Sequence, residues 1–376
     1  MSILTVNTGS FSVRLSLFLP DDKQHLNVLG GGHYEPGAGE PEQLLRKFLR
    51  QHALSPVKFV APRIVHGGPH LTSTRLLDPE VEREIGRLIP LAPLHNPHAL
   101  KWIEAVRTVL GVGVSQVAVF DTAFYANLPE VARTYAIPHE LGFRHDLRRY
   151  GFHGLAHEAM VRRWRQLRPD AAERGRTISL QLGAGCSVTA ADRGAPVDTS
   201  MGFSPLEGLM MATRSGDVDP GLVTFLQRRE GLTPEQMDRL LNERSGLLGV
   251  SGISADMRDL LESGDPRSRL AVDLYCYRAR KYLGAYLVVL GGGDAILFGG
   301  GVGENSPLVR ARILENMGWA GVTLDSAENL AAAGVERRIS SANSPVEAWV
   351  IPVDEAAILA REALAAMHQA SGGKQA

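Results

Sequence analysis

Cysteine is scarce in this chain. Its 376 residues hold two, Cys186 and Cys276, far apart and outside any CxxC or similar metal-ligand spacing, which excludes a disulfide framework and leaves a zinc site unsupported. A reducing cytoplasm is the expected compartment. An excess of charge of either sign is also missing: 40 Lys and Arg stand against 41 Asp and Glu, for a net charge of -1 and a pI near 6.9. That balance excludes nucleic acid or an anionic membrane as the main partner. Apolar runs are short. "YLGAYLVVLGGG" falls well below the roughly 20 residues needed to span a bilayer, and "MSILTVNTGS" carries neither a basic leader nor a long apolar core, so a cytosolic protein is expected.

What is present is an ordinary globular composition, 44% hydrophobic and 22% charged, in a chain longer than one hydrophobic core usually serves. Two domains of about 150 to 200 residues, with a cleft between them, are the expectation. "SILTVNTGSFSVRLSLFL" reads as a strand, a small polar turn at Asn7 to Ser12, and a second strand in which Val13, Leu15 and Leu17 alternate with Arg14 and Ser16. "TISLQLGAGCSVTAAD" repeats that plan around a glycine-rich turn at Gly183 to Ser187. A third loop, "DAILFGGGVGENSPLVRARILENMGW", runs through four glycines into a helix with Ser306 as N-cap and Pro307 at its first position. Such a loop binds an anion through free backbone N–H groups, or serves only as a tight turn. Helical stretches between the loops, "PEQLLRKFL", "NPHALKWIEAVRTVL", "HGLAHEAMVRRWRQL" and "VDLYCYRARKYLGAYLVVL", give an α/β order. The tail "HQASGGKQA" is expected to fray.

The candidate chemistry is scattered along these elements. In "GLMMATRSGDVDP" a single cation, Arg214, separates an apolar block from Asp217 and Asp219; it is either a solvated ion pair or a planar fork kept for a carboxylate or phosphate. "APRIVHGGPH" offers Arg63, "IPLAPLHNPHAL" offers His95 and His98, and "VFDTAFY" ends an apolar strand on Asp121, a common place for a ligand-site acid or a helix cap. "RRYGFHGLAH" adds His153 and His157, four apart, but HGLAH has glycine where a zinc protease needs its general-base glutamate. For each histidine a hydrogen-bonded packing role is the alternative. Two arginines, an aspartate, a histidine and three glycine- or hydroxyl-rich loops are the parts of a phosphoryl transferase: arginines for the transferring group, carboxylates for Mg2+, backbone amides for nucleotide phosphates.

In order along essentially the whole chain, "VNTGSFSVR", "RIVHGG", "LAPLHNP", "VFDTAFY", "YGFHGLAH", "VDTSMGFSPLEGLMMATRSGDVDPG", "GVSGISADMRDL", "CYRARKYLGAYL", "GGGVGENSPLVR" and "IPVDEA" resemble the acetate kinase family. The resemblance implies an α/β fold of two related domains of the sugar kinase/Hsp70/actin type with an interdomain nucleotide cleft. The N-terminal domain would be 1–124 with 358–376 and carry the first phosphate loop; 125–357 would carry the second phosphate loop and the adenosine site. It also implies a homodimer that transfers the γ-phosphoryl group of ATP reversibly to acetate, giving acetyl phosphate and ADP, with Mg2+ or Mn2+.

Carried over by motif, Arg63 and Arg214 would hold substrate carboxylate and transferring phosphoryl, His153 would hydrogen-bond the latter, and His95 would line the site. Asp121 would be the carboxylate close to the acetate, and Asn7 and Glu355 would organise the metal. Arg14, Gln181, Leu182, Gly183, Ala184 and Gly185 would face the nucleotide phosphates. Asp256, Met257 and Arg258, with Gly301, Val302, Gly303, Glu304 and Asn305, would form the adenosine side. Val65, Leu94, Phe152 and Pro205 match the apolar pocket for the acyl methyl. The chain departs from the family pattern in three places. Arg14 replaces a lysine, the phosphate loop reads "QLGAG" where the family has HLGNG, and the stretch between the first hairpin and "RIVHGG" is short. Propionate or butyrate is the alternative acceptor, since a methylene in an apolar pocket is worth only about 1 to 3 kcal/mol. A chaperone-like ATPase of the same fold, or a weakly active or non-catalytic nucleotide-binding relative, is the alternative outside the reaction.

Overall fold

The computed structural model describes residues 2–9, 12–21, 25–35, 37–53, 55–171 and 175–372, the last four by their backbone alone. Ser10 and Phe11 of the first hairpin turn, and 373–376 of the tail, lie outside the described residues. The chain divides into two compact units, Met1–Ala126 with Asp354–Ala376, and Asn127–Val353.

The first unit is built on six strands, β1 (Ser2–Thr8), β2 (Val13–Pro20), β3 (Leu26–Tyr34), β4 (Val57–Ile64), β5 (Arg75–Leu76) and β6 (Ser115–Phe120), in the order β3-β2-β1-β4-β6-β5. β1 is buried along its whole length, as a strand covered on both faces must be. β2 buries Val13, Leu15 and Leu17 and exposes Arg14. The helices Pro41–His52 and Asn96–Leu110 press Leu44, Leu45, Phe48, Trp102 and Val106 onto Leu4, Val6 and Leu15 of the sheet. β3 contains Gly30, Gly31 and Gly32, poor strand formers. A Cβ on Gly30 would come within 2.3 Å of the His52 ring, so the bare backbone there lets the helix end approach.

The second unit repeats this plan. β7 (Thr177–Leu182), β8 (Cys186–Asp192), β9 (Ala195–Thr199), β10 (Ala295–Gly299), β11 (Arg337–Arg338) and β12 (Glu347–Val350) lie in the order β11-β12-β10-β7-β8-β9. In each sheet an antiparallel three-strand meander continues through its first strand into two parallel strands and a short antiparallel edge strand. Pro196 sits on β9, an edge strand, where its missing N–H costs no ladder bond.

The loops are tighter than the sequence predicts. Asn7 and Thr8 belong to β1, and Cys186 and Ser187 to β8, because the cross-strand ladders Asn7–Arg14 and Gln181–Ser187 continue to those residues. The glycine-rich third loop is itself a short helix, Gly300–Asn305. Glu304 bends back so that its Oε1 accepts from Gly300 N at 2.9 Å, which satisfies one of the free donors at a helix start. Ser306 then caps the next helix, Pro307–Leu314, by accepting from Val309 N.

Candidate active site

In the first unit the carboxyl ends of β1, β4 and β6 gather four polar residues. Arg63, on β4, donates from Nε (3.1 Å) and Nη2 (2.5 Å) to Oδ2 of Asp121, which directly follows β6. Its Nη1 reaches Oδ1 of Asn7 at 3.0 Å and Oε2 of Glu355 at 3.4 Å. Asn7 Nδ2 donates to the same Glu355 oxygen at 2.7 Å. Burial disfavours the Arg63 charge, but the carboxylates of Asp121 and Glu355 outweigh it and hold the guanidinium pKa above its ordinary value. Two guanidinium donors thus converge on one oxygen of the Asp121 carboxylate, a charge-assisted pairing.

Around that cluster the other expected residues separate. Arg14 is exposed and pairs across the ladder with Asn7. His95 is buried at the start of the helix Asn96–Leu110, its backbone N–H on Ala92 O at 3.1 Å. Val65 is buried just past β4, whereas Leu94 is 36% exposed. Leu94 lines a cavity of ≈ 500 Å³ with Thr8, Ser12, Tyr34, His98 and Trp102, and Val65 is not part of that wall.

Among the described residues no group of three or more His, Cys, Asp or Glu side chains could hold a metal ion. Asn7 Oδ1 and Glu355 Oε2 accept from Arg63; with Arg63 displaced, one amide and one carboxylate oxygen could serve Mg2+, which keeps several waters and takes its remaining oxygens from substrate phosphates. The Glu355 side chain is about a fifth exposed (22%).

In the second unit the β7–β8 turn is the organising feature. Gly183 N bonds Gly185 O at 3.0 Å, and Ala184 O accepts from Ala212 N at 3.1 Å, tying the turn to the segment that carries Arg214. A Cβ on Gly185 would lie 3.1 Å from Cε1 and 3.2 Å from Nε2 of His153, and 3.7 Å from Nη1 of Arg214. His153 holds left-handed backbone, φ 57°, a conformation costly for a non-glycine residue and often found at functional positions. Its Nδ1 lies 2.9 Å from Ser187 Oγ.

Arg214 is not tied to the aspartates that follow it in sequence. Its Nη1 donates to Pro205 O at 3.2 Å, and burial pushes its pKa down. Asp217 instead accepts from Gly208 N, Arg278 and Tyr282, and Asp219 caps the helix Pro220–Glu230. Cys186, at the start of β8, has its thiol pushed up to about 11 by burial, and is not a nucleophile at neutral pH.

Beside this turn lies a cavity of ≈ 630 Å³, a size suited to a nucleotide. Gly183 and Ala184 line it together with Asp256, Met257, Arg258, Gly301, Val302 and Asn305. A Cβ on Gly301 would meet nothing within 4 Å, so that glycine leaves open space on the cavity wall. Asp256 caps the helix Met257–Glu262 and pairs with Arg258 Nη2 at 2.6 Å. Other residues expected at the nucleotide have internal duties. Gly303 O and Glu304 O accept from buried Arg310, Leu182 is buried at the end of β7, and Gln181 packs beside Gly299 with a buried Oε1 that finds no hydrogen-bond partner among the described residues. Phe152 is 1% exposed, just before His153.

Three further features have no counterpart in the sequence patterns. Ser179 and Ser187 contact His157 and His153, Arg310 ties down the glycine helix, and Arg149, Glu207 and Tyr135 form an ion-pair and hydroxyl cluster beside Gly202. The serine–histidine and Arg149–Glu207–Tyr135 contacts join residues far apart in sequence, whereas Arg310 reaches back only six and seven residues to the carbonyls it holds. The spacing of His153 and His157 was the single local signal that led toward any of them.

Comparison with known proteins shows the family and the fold. The family model described as "Acetokinase family" matches residues 2–361. An acetate kinase from Solibacter usitatus is 48% identical over 82% of this chain and 76% of its own length, and one from Dictyoglomus turgidum is 44% identical over 96% of both. Among solved structures, acetate kinase from Porphyromonas gingivalis superposes with a TM-score of 0.88 at 35% identity, covering 97% of this chain and 99% of the other. A propionate kinase from Francisella tularensis gives 0.88 at 31%, with the same coverage. The two mixed six-stranded sheets are those of the acetate and sugar kinase/Hsp70/actin type of α/β fold, and the chain belongs to the acetokinase family.

Proposed function

We propose that the protein is an acetate kinase that moves the γ-phosphoryl group of ATP to acetate and back, with Mg2+. The observation that carries this reading is the meeting of His153 Nε2 and Arg214 Nη1 at Gly185, in the turn whose other two residues line the 630 Å³ cavity. A nucleotide in that cavity, with its phosphates along Gly183 to Gly185, brings its terminal phosphoryl to two donors. An acetate oxygen attacks phosphorus, the bond to the bridging oxygen breaks, and its electron pair leaves with ADP. The nucleophile is already an anion, so the protein's task is to position the reactants and neutralise charge.

Asp121 orients the Arg63 guanidinium through Nε and Nη2, and Arg63 meets the acetate carboxylate with its remaining Nη hydrogens. Arg214 sits where burial disfavours its charge, so an incoming phosphoryl oxygen is a favourable partner, and its planar donors match the equatorial oxygens. His153 adds a hydrogen bond to the phosphoryl group, and His95 lines the acetate side. Asn7 and Glu355 would hold Mg2+ through their oxygens, and the ion would supply charge neutralisation on the nucleotide phosphates. Gln181, Leu182 and Arg14 support the phosphate side, Asp256 to Arg258 and Gly301 to Asn305 the adenosine side, and Val65, Leu94, Phe152 and Pro205 the acyl methyl. The first unit then corresponds to the domain of the first phosphate loop and the second unit to that of the second.

A homodimer is supported by the helix Pro220–Glu230, which buries none of its residues and leaves Leu222 and Phe225 46% and 58% exposed. The buried free thiols of Cys186 and Cys276 suit the cytoplasm. No helix among the described residues is long and apolar enough to cross a membrane.

The test is a hydroxylamine-trapping assay with ATP, Mg2+ and acetate, propionate or butyrate. Acetate should give the highest kcat/KM, with propionate about tenfold lower for one misplaced methylene. Equal or faster turnover of propionate moves the assignment to a propionate kinase, and no acyl hydroxamate from any acid overturns the enzymatic reading.

A further inference from the structure

We propose that Ser179, His157 and Ser187 form a buried relay that fixes His153 in the tautomer carrying its proton on Nε2, so that the ring presents an N–H beside Gly185 and Arg214. The inference rests on the reading of His153 as a donor to the transferring phosphoryl group.

His153 and His157 fall one helical turn apart, at the start of the helix Gly154–Leu167. Ser179 and Ser187 lie on β7 and β8; Ser187 pairs across the ladder with Gln181, two residues from Ser179, so both hydroxyls face one side of the sheet. Ser179, His157 and Ser187 are all 0% exposed. Contacts run in one line: Ser179 Oγ to His157 Nδ1 at 2.7 Å, His157 Nε2 to Ser187 Oγ at 2.7 Å, and Ser187 Oγ to His153 Nδ1 at 2.9 Å.

Proton counting allows two directions. A serine hydroxyl has one proton, so Ser187 donates to one ring and accepts from the other. Desolvation keeps His157 neutral, with one N–H. In the first direction Ser179 donates to His157 Nδ1, His157 Nε2–H donates to Ser187, and Ser187 donates to His153 Nδ1. The remaining proton of His153 then sits on Nε2. In the reverse direction His157 Nδ1–H donates to Ser179, and the Ser179 proton needs another acceptor. His157 is the one hydrogen-bond partner of that hydroxyl among the described residues. A buried donor left unsatisfied is costly, and the first direction leaves none on Ser179, His157 or Ser187. The reverse would also turn a bare nitrogen lone pair toward phosphoryl oxygens. Ser187 and His157 are positioning residues: neither is placed to touch substrate.

Long-range ¹⁵N–¹H correlation spectra of the ¹⁵N-histidine-labelled full chain at pH 8, with His153 assigned through His153→Gln, read the tautomer directly. The relay requires a protonated Nε2 and an unprotonated Nδ1 on His153, with the same pattern on His157. A proton on His153 Nδ1 overturns it, and this reading needs no variant of the relay to fold. Ser179→Ala and Ser187→Ala supply the kinetic arm. Each should lower kcat several-fold to about tenfold, less than the loss of a whole transition-state donor, with KM for ATP and acetate within about threefold. Wild-type kcat in both variants overturns the relay. His153→Ala separates the two layers: if it turns over normally, the role of His153 itself fails, whereas a slow His153→Ala beside normal serine variants removes the relay alone.

Discussion

Gly185 shows why the site depends on a missing side chain. A Cβ there would press on His153 at 3.1–3.2 Å, tighter than ordinary van der Waals contact, and His153 has little freedom to retreat with its Nδ1 on Ser187 and its backbone at φ 57°. Gly185→Ala should therefore lower kcat by about tenfold with KM for acetate little changed, the pattern of a contact made in the transition state. Unchanged kcat would show that the ring moves aside freely. The sequence revealed this glycine through the "QLGAG" motif, but not its neighbours. Ser187 lies 34 residues from His153 and Ser179 lies 22 from His157, and no short pattern announces a hydrogen bond across such distances. Likewise Asp217 and Asp219 suggested ion-pair partners for Arg214, and the fold gave them to Arg278, Tyr282 and a helix cap.

The segment Gly300–Asn305 was legible as a glycine-rich loop after a strand but not as a helix, since glycine is a poor helix former. Tertiary contacts stabilise it. Arg310, fully buried, donates to Gly303 O and Glu304 O at 2.8 Å and to Asn329 Oδ1 and O at 2.8 and 2.7 Å, with no carboxylate among its partners in the described residues. Burial pushes its pKa down to about 10, yet it stays charged at neutral pH and serves the carbonyl end of the helix. Lysine has one point of attachment for these acceptors. Arg310→Lys should cost about 3 kcal/mol of stability, seen as a lower urea midpoint, and should raise KM for ATP more than KM for acetate. An unaltered midpoint would mean that water satisfies these carbonyls equally well. Among strands, β1, β2, β7 and β8 were readable from their apolar patterns. β3, with its three glycines, and the two-residue strands β5 and β11 were not, because partner strands rather than their own residues define them.

The repeated sheet order of the two units was foreshadowed by the two hairpins. The order itself comes from long-range pairing of β4 and β6 with β1, and of β10 and β12 with β7, which hydrophobic patterns alone do not specify. Each unit also buries a neutral histidine. His66 accepts from Gly68 N at 2.9 Å, and burial lowers its pKa from 6.5 to about 4; desolvation does the same to His157. Between pH 6.5 and about 4 the unfolded chain holds a proton on His66 that the folded chain lacks. Stability is therefore full above pH 6.5 and falls as pH drops through that window, by up to about 1.4 kcal/mol per pH unit for each such histidine. Thermal midpoints measured from pH 7 to 4 should fall, and His66→Gln, with an amide oxygen for Gly68 N–H, should fall less steeply. Parallel curves for the two proteins would contradict the assignment of acid sensitivity to His66.

The central claim is that Arg214 acts on the transferring phosphoryl group rather than on its neighbouring aspartates. It is tested most directly by measuring, for the wild type, Arg214→Ala and Arg214→Lys, both kcat with acetate and the dissociation constant of Mg-ATP by calorimetry. Arg214→Ala should lower kcat by about 10² to 10³, with ATP affinity changed several-fold at most, and Arg214→Lys should recover little, because a point charge does not reproduce the planar fork. A kcat within threefold of wild type in Arg214→Ala, or a loss confined to ATP binding, would contradict the account.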